Sequence, residues 1–368
     1  GHTESVSGVL VLTGGKLLSR SYDKTVRLWS TEGAPLATFE GHTDWVYGAL
    51  ELPEGRAASW TGEPVIRVWD TERGQALEPV KAHGRVNRAC ALDGGRLLSW
   101  GGNEIALWDA RTFTRLRTFA ADGFVEGARM AAPDRLLAWC HDGTLLSWDA
   151  TTGKRLAHFV GHKWVVLGAF VLAPGRILSW AQDKRLHLWD AETGALLAQF
   201  GSHRKAVMGA MAIEPDRLAS WSLDGTLRLW HLPDGPGRGG KPRAVKPSAL
   251  VEGHAERVVA VIPFGEGLLL SYAFDGALKL WRADSLASAG QLKGHERRVW
   301  QHRWVDPGRL LTWGADSFFL LWSVSEKRAI ARFEGHTGSI DDVALLSGGR
   351  LASGSSDGTL RLWALPPA

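Results

Sequence analysis

The chain has 368 residues, 45% of them hydrophobic and 22% charged, with 43 Lys and Arg set against 39 Asp and Glu. That balance excludes a disordered chain, and the even mixture of signs gives no signal for nucleic-acid binding. The lack of both an eighteen-residue apolar run and a basic-then-apolar leader predicts neither membrane span nor signal peptide, and makes the cytoplasm the expected compartment.

Along the chain, short β-type runs separated by Pro, Gly and Asp turns form one unit that recurs nine times. The first unit follows His2 with VSGVLV, KLLSRS and TVRLW, closes at Trp29, and leads through LATF to His42. Units two to four close at Trp69, Trp108 and Trp148, after His42, His83 and, in place of a third His, Asp122. Unit five is the clearest: Gly161-His162, VVLGAFVL, the turn APGR, ILSW, the turn AQDK, RLHLWD and LLAQF. Units six to nine close at Trp230, Trp281, Trp322 and Trp363, after His203, His254, His295 and His336. Several third turns are Asp-Gly, as at Asp142-Gly143 and Asp224-Gly225, a dipeptide suited to two-residue hairpin loops.

Trp separations are 39 to 41 residues except for one of 51, where PDGPGRGGKPRAVKPS at 233–248 is inserted. Its Gly, Pro and basic content, with Arg238, Lys241, Arg243 and Lys246, predicts a mobile surface loop on the face opposite the His turns. The count predicts nine sets of three inner strands and eight outer ones, 35 in all. One blade then has an unpaired edge or the sequence is a segment of a longer protein, and the second is the expectation. Cys90 and Cys140 lie in apolar runs and read as buried, reduced thiols, with no thiolate metal site.

Gly-His, Ser-x-x-x-Asp and Trp-Asp recurring at about forty residues resemble the WD40 family of β-propellers. The resemblance covers residues 1–368 and implies an all-β fold, with the first strand of each blade innermost. Nine units exceed the usual four to eight blades. Cutting at the insertion leaves six and three, and three blades cannot close, so the expectation is a single closed nine-bladed propeller of four-stranded antiparallel blades.

The resemblance also implies that His, Ser or Thr, Asp and Trp form a structural hydrogen-bonded chain in each blade. Complete sets are His2, Ser19, Asp23, Trp29; His162, Ser179, Asp183, Trp189; and their counterparts ending at Trp230, Trp281, Trp322 and Trp363. Units two to four depart from it: Glu63 and Asn103 replace the Asp, while Asp122 and Ala138 replace the His and Ser. A Ser-His-Asp hydrolase reading fails, because a nucleophile is singular and exposed whereas this set is repeated. After the tetrad Ser stands an aromatic in most units: Trp60, Trp100, Trp139, Trp180, Trp221, Tyr272 and Trp313, with Arg20 and Gly354 as exceptions. These rings read as spacers between blades, in preference to a carbohydrate-stacking row.

Function is sought where the copies differ, in the loops around the expected channel mouth. The richest sector holds Tyr22, Trp45, Tyr47, Arg257, Phe274, Arg298, Trp300 and Asp341, aromatics and Arg being typical interface anchors. The expected partners are other proteins or peptides, bound by a non-enzymatic, monomeric scaffold without cofactor or metal. Trp45 and Trp300 could instead plug a wide channel. The rival reading, a small-molecule or carbohydrate receptor or an enzyme at the mouth, has only Glu126, His141 and Asp341 to offer, on separate blades. Nucleic-acid binding through the basic insertion is a third reading.

Overall fold

The computed structural model describes residues 1–367 apart from Pro174 and Ser202, and only the backbone of Ala173 and Arg238. Pro174 of the turn expected in unit five therefore lies outside the described residues. The fold is all-β: nine sheets, one per repeat, antiparallel except for one added parallel strand, with the short 3-10 turn Arg238–Gly240 as its one helical element among the described residues. Each sheet is built on a meander of consecutive strands, and these are the blades of a propeller-type fold.

The turn chemistry explains why each meander folds as it does. In blade 1, Asp23 Oδ1 accepts the Thr25 amide at 3.0 Å, closing the hairpin between Leu17–Ser21 and Val26–Trp29. The next turn position needs a left-handed backbone, supplied by Gly143, Gly225, Gly276 and Gly358 with φ of 77–89°. Lys24 and Lys184 occupy that position in blades 1 and 5 with φ of 68° and 71°.

Two compact units are distinguished, Gly1–Thr118 with Gln301–Ser323 and Ala329–Ala368, and Phe119–Trp300 with Val324–Arg328. Within each, the cores lie between neighbouring blades. In the first unit Val26 and Leu28 of blade 1 pack with Val46 and Trp69 of blade 2, and Val6 and Val9 of blade 1 pack with Ala344 and Ala352 of blade 9. In the second, Leu186 and Phe200 of blade 5 meet Val207 and Trp230 of blade 6. A Phe three residues before the His repeatedly reaches the Trp of the following blade, as Phe39 does on Trp69 at 4.9 Å and Phe159 on Trp189 at 5.8 Å.

The strand count differs from expectation. There are 37 strands among the described residues, because blade 2 splits its outer strand into Gln75–Ala76 and Val80–Lys81 and the insertion contributes Arg243–Val245. Within the loop expected at 233–248, Arg243–Val245 forms a strand. Arg243–Val245 pairs in parallel with Leu196–Gly201, the outer strand of blade 5, matching Ala198 to Arg243 and Phe200 to Val245. An outer strand exposes a row of unpaired amides and carbonyls, and the inserted strand covers that edge. Blade 9 consists of three strands, Ile340–Leu346, Arg350–Ser355 and Leu360–Ala364.

The aromatic row packs against the first strands of its own blades. In blades 2, 4, 5 and 6 the indole lies across a Gly of its own first strand, where an added Cβ would overlap the ring: Trp60 on Gly48, Trp139 on Gly127, Trp180 on Gly168, Trp221 on Gly209. In two of the rings the outer edge reaches the next blade: Trp221 Nε1 donates to Val259 O at 3.1 Å and Trp313 Nε1 to Asp341 O at 3.3 Å. The two exceptions fall on the blades that carry the chain ends. Gly354 leaves room for Val6 and Val9, and opposite it Asp342 accepts the Val9 amide at 3.0 Å. Arg20 covers Gly8 as the indoles cover theirs.

Candidate functional site

The repeated polar residues are structural, and their geometry says why. In blade 5, Trp189 Nε1 donates to Ser179 Oγ at 2.8 Å, Ser179 lies 2.8 Å from His162 Nε2, and His162 Nδ1 lies 2.9 Å from Asp183 Oδ2. With the carboxylate accepting at Nδ1, the Ser hydroxyl donates to Nε2 and its own lone pair takes the indole proton. The hydroxyl is fully buried and both of its roles are filled, so it has neither access nor freedom to attack a substrate. Burial lowers the proton affinity of the His rings, as at His2, His42 and His336, while hydrogen bonds hold Asp23 and Glu63 at about 2 despite their own desolvation. Each such pair is therefore a neutral His beside an ionised carboxylate.

One expectation for these sets is corrected. Blade 2 is intact, because Glu63 Oε2 reaches His42 Nδ1 at 2.9 Å while His42 and Trp69 both contact Ser59 Oγ, at 2.7 and 2.8 Å. Blade 3 keeps His83, Ser99 and Trp108 but has no carboxylate at His83 Nδ1. In blade 4, Asp122 pairs with Arg155 at 2.9 Å. Cys140 is buried, its thiol pushed up to about 12 by that burial, whereas Cys90 is half-buried, more open than expected; both are free.

His187 has no counterpart in the other copies. Its ring lies 3.8 Å from that of His162 at an interplanar angle of 11°, fully buried, with neither nitrogen hydrogen-bonded. Burial pushes its pKa down to about 2, so it is neutral. Ligand atoms of His162, Asp183 and His187 come within 4.8 Å of one another. Nitrogen lone pairs lie in the ring planes, so two parallel stacked rings cannot aim at one ion, and the set does not fit a metal.

The eight expected anchor residues divide evenly between the two units. In the first, Tyr22 and Trp45 stack at 4.7 Å and 24° and stay 37% and 49% exposed, with Tyr47 40% exposed two residues further on. Asp341 is engaged between blades, since its carboxylate accepts the Ser5 hydroxyl at 2.5 Å, and burial raises its pKa. In the second unit, Arg257 and Arg298 lie over the ring of Phe274 at 3.6 and 5.0 Å, a guanidinium-aromatic cluster. Trp300 is half-buried. Glu126 and His141, expected on separate blades, stand together on blade 4, 2.7 Å apart.

A feature the sequence reading passed over lies in the second unit. A groove of about 790 Å³ runs over the His loops and Asp turns of blades 5 and 6, lined by Trp164, Leu167, Met208 and Leu223 and rimmed by Lys163, Lys184, Arg185 and Arg257. The signal was available in the repeats. Two residues after the loop His, most copies carry a polar residue or Gly, as at Glu4, Asp44 and Gly338, whereas blade 5 carries Trp164, which is 63% exposed.

The family model "WD domain, G-beta repeat" matches residues 1–30 and 327–364. Among solved structures, the chain is similar to a computationally designed protein, Ika8, with a TM-score of 0.68 at 20% identity, covering 90% of this chain and 99% of that one. It is similar to the C-terminal WD40 domain of Sif2 at 0.60 and 16%, covering 100% and 97%. The WD40 β-propeller domain of Doa1 gives 0.50 and 20%, covering 98% and 93%. No curated protein matches the sequence. With the recurring His, Ser, Asp and Trp now seen as hydrogen-bonded chains inside propeller blades, the repeats at both ends match the WD40 family model and the fold is that of WD40 β-propeller domains.

Proposed function

We propose that this chain is a non-enzymatic recognition module that holds other proteins or peptides on the face built from its His loops and Asp turns. WD40 propeller domains generally mediate protein–protein interactions and are generally not enzymes. The observation that carries the reading is the exposed Tyr22–Trp45 stack, followed by Tyr47. Large rings left in solvent are costly unless a partner covers them, and rings already stacked lose little freedom when it does. Phe274 with Arg257 and Arg298 supplies a second anchor of the same chemistry, and Trp300 and Asp341 complete the proposed set.

The wider reading is a single closed ring of nine blades over residues 1–368, monomeric and cytoplasmic. The packing of blade 9 against blade 1 supports closure, and two free cysteines accord with a reducing compartment. No helix among the described residues is long and apolar enough to cross a membrane. The enzyme reading is the weaker one: Glu126 and His141 are bound to each other, and Asp341 is held by Ser5.

Trp45→Ala tests the proposal. Proteins captured by the wild-type chain in a quantitative affinity purification are expected to be lost with this variant while its circular dichroism and melting temperature stay unchanged. Undiminished capture of all of them would remove this patch from the binding surface.

A further inference from the structure

We infer that the groove over blades 5 and 6 is a binding site for an acidic peptide segment with an aromatic or aliphatic anchor residue, which rests on the recognition reading above and gives it a partner chemistry. Three features converge on it.

The first is the division of the groove by chemistry. Its floor is apolar, from Leu167, Met208 and Leu223, with Trp164 standing exposed at one side. Its rim carries the cations Lys163, Lys184, Arg185 and Arg257, and the one lining carboxylate, Asp183, is already committed to His162 and to the Lys163 amide at 3.0 Å. An apolar slot with uncompensated positive charge around it complements a segment in which acidic residues flank a hydrophobic one.

The second is the backbone at Lys184. In four other blades the equivalent turn position is Gly, which takes the left-handed conformation freely, whereas Lys184 holds φ of 71° at the groove rim. A strained cation retained beside a cleft, where Gly would fit the backbone better, is the pattern of a site that uses the side chain. Lys24 shares the conformation in blade 1, so this feature counts only together with the groove.

The third is the inserted strand. Arg243–Val245 runs along the outer edge of blade 5 and pairs Ala244 with Gln199, a residue that lines the groove. It brings exposed Lys241, Arg243 and Lys246 to the same blade, prolonging the positive field beyond the groove itself.

The test is selection of a random dodecapeptide library on the intact protein, followed by fluorescence anisotropy of the enriched peptides. The inference expects enriched sequences with several Asp or Glu around one aromatic or aliphatic residue, binding that weakens as salt is raised, and at least tenfold weaker binding to Trp164→Ala and to Arg185→Glu. Lys184→Gly guards against a folding artefact: its melting temperature should hold or rise while peptide affinity falls. Enrichment of neutral or basic sequences, no enrichment, or acidic peptides that bind all three variants as well as wild type overturns the site. Peptides lost with Trp45→Ala but kept by the three groove variants would leave the recognition reading standing and sink this one alone.

Discussion

At the scale of the residue, the tetrads show how one side chain of altered length or charge changes a blade. Glu63 reaches the His ring that Asp reaches elsewhere, the longer side chain leaving the distance at 2.9 Å. Asn103 does not supply a carboxylate, and His83 Nδ1 lacks the acceptor that its siblings have. Asn103→Asp is therefore expected to stabilise the protein by about 0.5–1.5 kcal/mol, the net worth of a hydrogen bond, measurable as a higher urea midpoint at unchanged slope. The sequence alone made these exceptions visible but not their consequences, because whether a replacement completes the chain depends on reach in three dimensions.

At the scale of the element, the Gly and indole pairs set how closely a first and second strand can share one face. Gly168 is matched to Trp180 in the ladder, and a Cβ there would meet the ring. Gly168→Ala is expected to cost about 1–3 kcal/mol through overpacking. In a Trp180→Ala background the same change should cost much less, and a double-mutant cycle by chemical denaturation reads that coupling. Strand order and blade boundaries were legible from the markers, since a Trp every forty residues and an Asp turn before it fix each meander. The strand Arg243–Val245 was not legible, for its composition is that of a loop and the edge that pairs it lies in another repeat. The groove was missed for a related reason: Leu167, Met208 and Leu223 are ordinary residues one by one, and only adjacency of blades 5 and 6 joins them into a floor beneath Trp164.

At the scale of the whole molecule, the buried His and carboxylate pairs make stability depend on pH. His2, His42, His203, His254 and His336 all bind protons less readily when folded than at their ordinary pKa of 6.5. The unfolded chain then takes up more protons below that value, so stability falls as pH drops through it. Asp23 and Glu63, depressed to about 2, extend the loss from their unfolded values near 4 down to that point. Asp341 and Asp342, raised by burial, act in the opposite sense but are outnumbered. The melting temperature by circular dichroism should hold above about pH 6.5 and decline continuously on acidification; a flat profile down to pH 4 would contradict this account. The repeat count and the neutral His arise from sequence and burial together, whereas the joining of blade 9 to blade 1 through Asp342 and Val9 was foreseen only as a need for closure.

The strand lent by the insertion carries one more consequence. The chain leaves the third strand of blade 6, adds Arg243–Val245 to blade 5, and returns to blade 6 as Ala249–Glu252, so it laces two successive repeats with a single stitch. Tandem repeats otherwise tend to loosen one at a time from wherever their interfaces are weakest. Here neither member of the pair can fray without tugging on the other. Amide protons of Leu196–Gly201 should exchange with deuterium on a common clock with those of blade 6, more slowly than those of Pro35–Phe39, whose outward edge has no such cover.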